Sequence, residues 1–437
     1  MSTVLYDNLK VKAGLWLVLI CFFAAACNPV NTDPPERPVR SKTVLLYLAG
    51  NNNLWYDIQN NIQELYKGYI PDETSGNLIV YQHLQYDAGG KGKPKLLRIY
   101  KNNEGAVVTD TVYRFPHTNS ALASSLKSVI QVTTTLFPAE EYGLLLSSHG
   151  TGWLPSKYYA SGTFPESSAI RQGVPSGYRS PWPDPPGGID PYAHLVKTFG
   201  ADDSGDTEIE IIDMVKALPH KFNYIILDAC FMGGIETAYE MKDSTDYLVF
   251  SPAEVLASGF NYAGMMQYLF KSPVDLKGFA SSVYDYYNSQ SGLSRSLTIS
   301  VVKTSELENV ATAAKNVFSK YGSSIAEMDV TKIQRYFRYS NKQWFFDMND
   351  FVQQLCGAPG ATDAQAFSAA LDKAVIYKLT TGRILDLVID KQKYSGICTY
   401  IPYHPVNDKL DAFYRNFAWE KKVGMVPEPQ LGAATAK

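Results

Sequence analysis

The chain has 437 residues, 45% of them apolar and 19% charged, with 40 Lys+Arg against 43 Asp+Glu and a net charge of −3. That is ample material for a large core, and it excludes disordered, collagen-like and coiled-coil chains. The near balance of charge leaves no basic footprint, so no nucleic-acid partner is expected.

Met1–Lys12 is polar, with Lys10 and Lys12, and an uninterrupted apolar run, Ala13–Ala26, follows. As a helix this run would rise about 21 Å, short of the roughly 30 Å hydrocarbon core of a bilayer. Residues 1–26 therefore read as an export signal. Ala24-Ala25-Ala26-Cys27 resembles a bacterial lipobox, which would put a lipid on Cys27 and anchor the protein to a membrane, periplasmic or at the cell surface. An ordinary signal cut after Ala-x-Ala is the alternative. A polar, Pro-rich tether occupies residues 27–42. Once the signal is gone, Cys230, Cys356 and Cys398 remain besides Cys27. So sparse a set in an exported protein argues against a disulfide framework and for a free thiol.

From Thr43 onward short apolar runs alternate with helical segments, which predicts an α/β domain over residues 43–291 with a mostly parallel sheet. Thr43–Ala49, Asn77–His83, Tyr142–Ser147, Asn223–Asp228 and Tyr247–Ser251 read as core strands. Lys95–Tyr100 and Val107–Phe115 read as a hairpin off the main sheet. Helical periodicity marks Asn53–Tyr66, Ser120–Leu136, Glu210–Leu218, Gly233–Lys242 and Leu276–Gln290. Residues 154–199 are a Pro-, Gly- and Tyr-rich insertion without periodicity, of the kind that forms a lid or a processing loop. Residues 292–423 are expected to form a C-terminal α+β subdomain with a strand at Ser296–Val302, helices at Ser305–Tyr321, Lys342–Leu355 and Asp363–Ala374, and a late strand at Ile397–Pro402. Residues 424–437 are a tail.

No Walker loop, zincin helix, paired-Cys zinc pattern or nucleophile elbow is present. Two apolar strands end instead in reactive residues: Gly143-Leu-Leu-Leu-Ser-Ser-His149-Gly150 and Tyr224-Ile-Ile-Leu-Asp228-Ala-Cys230. Parallel strands present their carboxyl ends to one crevice, so His149 and Cys230 should meet there. Cys230 precedes the helix expected near Gly233, whose N-terminus would lower the thiol pKa. A thiolate beside an imidazole is the equipment of nucleophilic catalysis, and the N–H groups of Gly150 and Cys230 could hold an oxyanion. Singly, Cys230 would read as a small core residue and His149 as a satisfied turn histidine. Their joint placement at strand ends favours the dyad.

These two segments, with Val44–Leu54, Ser148–Trp153 and Tyr394–Pro402, resemble the clostripain-like family in the caspase–gingipain–clostripain clan of cysteine peptidases. The resemblance covers residues 43–405 and implies a caspase-like α/β/α sandwich. It also implies a peptide or protein substrate, Cys230 as nucleophile and His149 as general acid/base. It implies preference for Arg or Lys before the scissile bond, with Asp228 as the specificity acid. A carboxylate there would pair with a basic side chain; equally, it could be structural, accepting backbone N–H groups. Glu254 is the candidate second acid, although its neighbours are apolar or small and Phe260 stands where the family has Trp. Family members self-cleave between His and Cys, and the insertion in that interval holds Lys157, Arg171, Arg179 and Lys197. The insertion is thus a processing loop or an addition without that role. No cofactor is expected. Some relatives need calcium, but Asp202–Asp206 lacks a full calcium loop and reads as a helix cap. His83, His117, His194, His220 and His404 read as surface or loop residues, Cys356 and Cys398 as core. A non-catalytic surface lipoprotein, a binding module with its groove blocked by the insertion, is the competing reading.

Overall fold

In the computed structural model, residues 39–87, 90–158, 182–188, 190–197, 207–339, 343–403 and 408–427 are described. Cys27, the expected export signal, most of the expected tether, Arg171, Arg179, Asp202–Asp206 and His404 lie outside them. Nine strands form the central sheet: β1 (Arg40–Gly50), β2 (Asn77–Leu84), β3 (Lys95–Lys101), β4 (Val107–Arg114), β5 (Ala139–Ser147), β6 (Phe222–Asp228), β7 (Thr245–Phe250), β8 (Thr298–Lys303) and β9 (Val375–Thr380). Their order is β9-β8-β7-β6-β5-β1-β2-β3-β4. The strands from β7 through β2 run parallel to one another, while β3, β4, β8 and β9 are antiparallel to their neighbours.

The parallel strands are continuous apolar runs because both faces of the sheet are covered. Leu144, Leu145 and Leu146 of β5 and Ile225, Ile226 and Leu227 of β6 are all buried. The chain leaves β1 through helix α1 (Trp55–Leu65) to reach β2, and it reaches β5, on the other side of β1, through α2 (Ala123–Leu136). Right-handed crossovers in opposite directions put α1 and α2 on opposite faces. The molecule is therefore a helix–sheet–helix sandwich, the caspase-like arrangement. The order of connection reverses between β1 and β5, so their carboxyl ends border the crevice where open α/β sheets place their sites.

The described residues after 292 form two short two-stranded sheets, Phe346–Asp347 with Cys398–Thr399 and Arg383–Ile384 with Leu387–Val388, and also extend the central sheet. Thr298–Lys303 and Val375–Thr380 complete the central sheet as antiparallel strands, and Val39–Lys437 is one compact unit. Strand β9 escapes the sequence pattern because it follows the helix Ala361–Ala374 directly, without Gly or Pro to mark the change. The hairpin β3–β4 forms the sheet's far edge rather than a separate piece. His83 corrects another expectation, for it is buried in β2 with Nδ1 2.5 Å from Ser120 Oγ.

The late strand, seen as Cys398–Thr399, is tied to the segment after β6. Cys398 N donates to Gly233 O at 2.8 Å. Glu236, buried in the helix α3 (Ile235–Met241; a short helix, Ile211–Ala217, precedes β6), accepts at Oε1 from Thr399 Oγ1, Tyr400 N and Tyr414 OH at 2.9, 2.9 and 2.7 Å. Trp153 inserts from the β5 side, with its ring centroid 4.8 Å from Tyr400 and 5.0 Å from Tyr414. These contacts clamp the two strand-end turns from behind. Trp153→Ala should therefore cost about 3–5 kcal/mol, the range for removing a buried large aromatic. Chemical denaturation should register the loss, and limited proteolysis should cut faster around Tyr400–Phe417.

Candidate active site

The pairing of β5 with β6 sets Ser147 opposite Asp228. Two residues beyond each partner the strands deliver His149 and Cys230, so the two candidates share one rim. Their turns touch backbone to backbone: a Cβ on Gly150 would lie 2.5 Å from Cys230 O and 2.9 Å from Cys230 N. Only glycine permits this approach. After Cys230 the chain turns sharply at Phe231, which holds φ 58°, a left-handed conformation rare for a bulky residue. Phe231 N donates to Ala253 O at 2.9 Å, Gly233 N to Ser251 O at 2.7 Å, and the Phe231 ring stacks on Phe345 at 4.3 Å.

His149 is oriented by a residue absent from the sequence-based site. Its Nε2 lies 2.5 Å from Asn53 Oδ1. An amide oxygen can only accept, so Nε2 carries the proton and Nδ1 the lone pair. Asn53 closes the run Asn51-Asn52-Asn53 at the end of β1, next to the crevice. That polar triplet after an apolar strand was the available signal. Asn52 supports the same corner, with Nδ2 3.3 Å from Ser148 Oγ, while Ser148 Oγ donates to Ala49 O at 2.7 Å.

Asp228 lies at the base of a pocket filled by the chain itself. Its Oδ2 accepts from Ser147 Oγ, Tyr262 OH and Lys197 Nζ, each at 2.9 Å. The Lys197 and Asp228 side chains are both 0% exposed. Gly259, at φ +69°, walls the pocket: a Cβ there would come within 2.7 Å of Asp228 Oδ2, the Asn61 amide and Lys197 Nζ. Asp228 Oδ1 has no hydrogen-bond partner among the described residues.

The backbone leading into Lys197 pairs like an added strand. Val196 bridges Leu256 in antiparallel sense, Lys197 N donates to Val255 O at 3.1 Å, and Ala257 N donates to Leu195 O at 2.7 Å. Cys230 Sγ is enclosed between these segments, 3.2 Å from both Lys197 N and Val255 N. By covalent geometry the carbonyl carbon of Lys197 lies within about 6 Å of that sulfur.

Two expectations need correction. Glu254 is tied to Arg338. Its Oε2 faces Arg338 Nε at 3.4 Å, and Arg338 also holds Asp190. The Lys197 charge also acts on Asp57 of α1, whose carboxyl is raised by burial and pulled back by the Lys197 ammonium. Nor does a helix N-terminus lower the Cys230 thiol. Helix α3 starts only at Ile235, with Gly234 as its cap. Burial pushes the thiol pKa up, the Glu254 charge adds to this, and the Val255 and Lys197 amides and the Lys197 charge oppose it. His149 is lowered to about 3, by burial first and by the Lys197 charge second. The pair is thus a neutral thiol and a neutral imidazole. Cys356 and Cys398 are buried and free, as is Cys230.

An α/β/α sandwich with Cys and His at neighbouring strand ends defines the class of caspase-like cysteine peptidases. The Clostripain family model matches residues 46–164 and 189–423, and this chain belongs to that family of cysteine peptidases. Among solved structures it is similar to an inactive zymogen C11 protease from Parabacteroides distasonis, with 28% identity and a TM-score of 0.69 over 89% of this chain and 99% of that one. It is also similar to a secreted C11 cysteine protease from Bacteroides thetaiotaomicron, with 24% identity and a TM-score of 0.68 over 88% and 100%. A structure of a secreted C11 protease from the same organism with an irreversible peptide inhibitor gives 25% identity and 0.68 over 88% and 99%. A search of curated proteins gives no match.

The state of His149 has a measurable consequence. The unfolded imidazole titrates near 6.5 and the folded one near 3, so between these values the unfolded chain binds the extra proton. The stability contributed by neutral His149 is full above 6.5 and is lost as pH falls towards 3. Urea unfolding at about pH 7.5 and about pH 5 should show a smaller acid loss in His149→Gln than in the wild type.

Proposed function

We propose that this chain is the latent form of an exported cysteine endopeptidase that cuts after lysine or arginine through Cys230 and His149. The observation carrying the reading is Lys197, whose side chain fills the Asp228 pocket while its backbone lies against the Cys230 sulfur. A segment of the chain occupies the groove as a substrate would, by strand addition with one basic side chain in a pocket. Of the four basic residues in the insertion, Lys197 is the one in that position, so maturation is cleavage of the peptide bond after it. Charge at the pocket base favours basic side chains, and a guanidinium, with its fork of donors, could also take up Asp228 Oδ1.

In the open enzyme Nδ1 of His149 takes the Cys230 proton as sulfur attacks the carbonyl carbon. The N–H groups of Gly150 and Cys230 hold the oxyanion. The imidazolium then protonates the leaving amine, and the resulting thioester is hydrolysed by water that gives its proton to the imidazole. Asn53 keeps the ring in the required tautomer. While Lys197 is in place, burial disfavours both the thiolate and the imidazolium and the Lys197 charge disfavours the imidazolium further, which supports the latent reading.

Export rests on the apolar run and Ala24-Ala25-Ala26-Cys27, with lipid on Cys27 as the anchor. A similar protein described as secreted lends support to export. Among the described residues no helix is long and apolar enough to cross a membrane.

Mass spectrometry of purified wild type, Cys230→Ala and Lys197→Ala tests the central claim and reads the N-terminal mass as well. Wild type should resolve into two fragments broken after Lys197, both variants should stay whole at that bond, and Cys230→Ala should turn over no lysyl peptide. A break after Lys197 in Cys230→Ala would overturn self-processing.

A further inference from the structure

We propose that Arg338 is a specificity-determining residue that selects substrates carrying an acidic side chain seven residues upstream of the scissile lysine. The inference rests on the reading of residues 190–197 as an internal substrate. Seven positions before Lys197, Asp190 meets the guanidinium as a matched fork: Nη1 to Oδ1 at 2.9 Å and Nη2 to Oδ2 at 2.7 Å. Two parallel charge-assisted bonds of this kind are the strongest and most directional that a carboxylate makes. The Arg338 side chain is 2% exposed and that of Asp190 13%.

The fork is built into the enzyme and not shaped by Asp190 alone. Phe337 and Tyr339 lie 5.6 and 5.0 Å from the guanidinium carbon, and Tyr192 of the segment lies 5.2 Å away. Glu254 and Asp386 share the Nε edge at 3.4 and 3.6 Å, which leaves Nη1 and Nη2 aimed at the segment. Arg335 Nη2 holds the Arg338 carbonyl at 3.1 Å. Between the fork and the pocket the segment makes one short turn, Ala193–Leu195, before it pairs with 255–257. Asp190 Oδ1 also accepts from Tyr192 N at 2.9 Å, which starts that turn.

When the segment leaves, both outward nitrogens of a buried guanidinium lose their partners. A substrate carboxylate in the same register restores both bonds. An asparagine restores one and sets its amino group against an N–H donor. The surroundings have room and suitable charge for an acidic upstream stretch: a cavity of about 530 Å³ adjoins Arg338, lined by Lys332, Arg335 and Lys393 as well as Asp386 and Asp390.

The test uses processed enzyme and three coumarin amides: Asp-Pro-Tyr-Ala-His-Leu-Val-Lys, the same peptide with Asn first, and Leu-Val-Lys. Wild type should favour the Asp over the Asn peptide by about tenfold or more in kcat/KM, and the Asn peptide should match Leu-Val-Lys. In Arg338→Gln the Asp/Asn ratio should fall to about one. The enzyme's own cut end competes with all three peptides alike, so the ratio is insensitive to it. Equal cleavage of the Asp and Asn peptides by wild type overturns the inference while leaving the lysine reading intact, and so does a ratio that survives in Arg338→Gln. If none of the three is cut, the lysine reading itself fails and this inference with it.

Discussion

A lysine ammonium and an aspartate carboxylate, both wholly removed from water, meet beneath the rim of the sheet. Burying two charges is costly, and the cost is recovered only where geometry and further hydrogen bonds are good. Here Asp228 Oδ2 gathers two hydroxyls besides Lys197 Nζ, which itself reaches Ser147 Oγ at 3.1 Å. Drawing Lys197 out alone would strand the carboxylate, so the ion pair holds the whole strand-like approach of residues 195–197 over Cys230. The occupied groove follows from that contact, and the segment it holds covers the sulfur, whose neutral state comes first from burial.

The rim is held firm from behind. Gly150 lets two turns meet with no side chain between them, Phe231 accepts a strained backbone because Phe345 and two amide bonds hold it, and Glu236 draws the late strand and Tyr414 onto the helix after Cys230. These constraints are spread over residues far apart in the chain. They explain why the residues beyond 292 are part of the same body: Phe345 and the late strand back the turn that carries the sulfur.

Much of the sheet was legible in the amino-acid order because buried parallel strands are apolar on both faces and each ends where polar residues begin. Leu144–Ser147 and Ile225–Asp228 are examples, and the dyad candidates are the first reactive side chains beyond their ends. Other parts were illegible for physical reasons. Strand β9 lacks a punctuating residue at its start. His83 sits in a core strand against the Ser120 hydroxyl, which comes from a distant segment. Asn53 stood in plain view as the last of three asparagines, but its bond to His149 joins two loops that only the parallel order of β1 and β5 makes neighbours.

The amino-acid order by itself determined the fold class, the family resemblance, and the presence of one cysteine and one histidine at the ends of apolar strands, because these arise from local pattern and spacing. Tertiary structure alone decided where charge goes. It sent Glu254 to Arg338, let the Lys197 charge act on Asp57 of α1, set Lys197 on Asp228, and raised a thiol that the helix argument would have lowered. Charge pairing and desolvation depend on distance through space and on the exclusion of water, and neither quantity is written in the separation of residues along a chain.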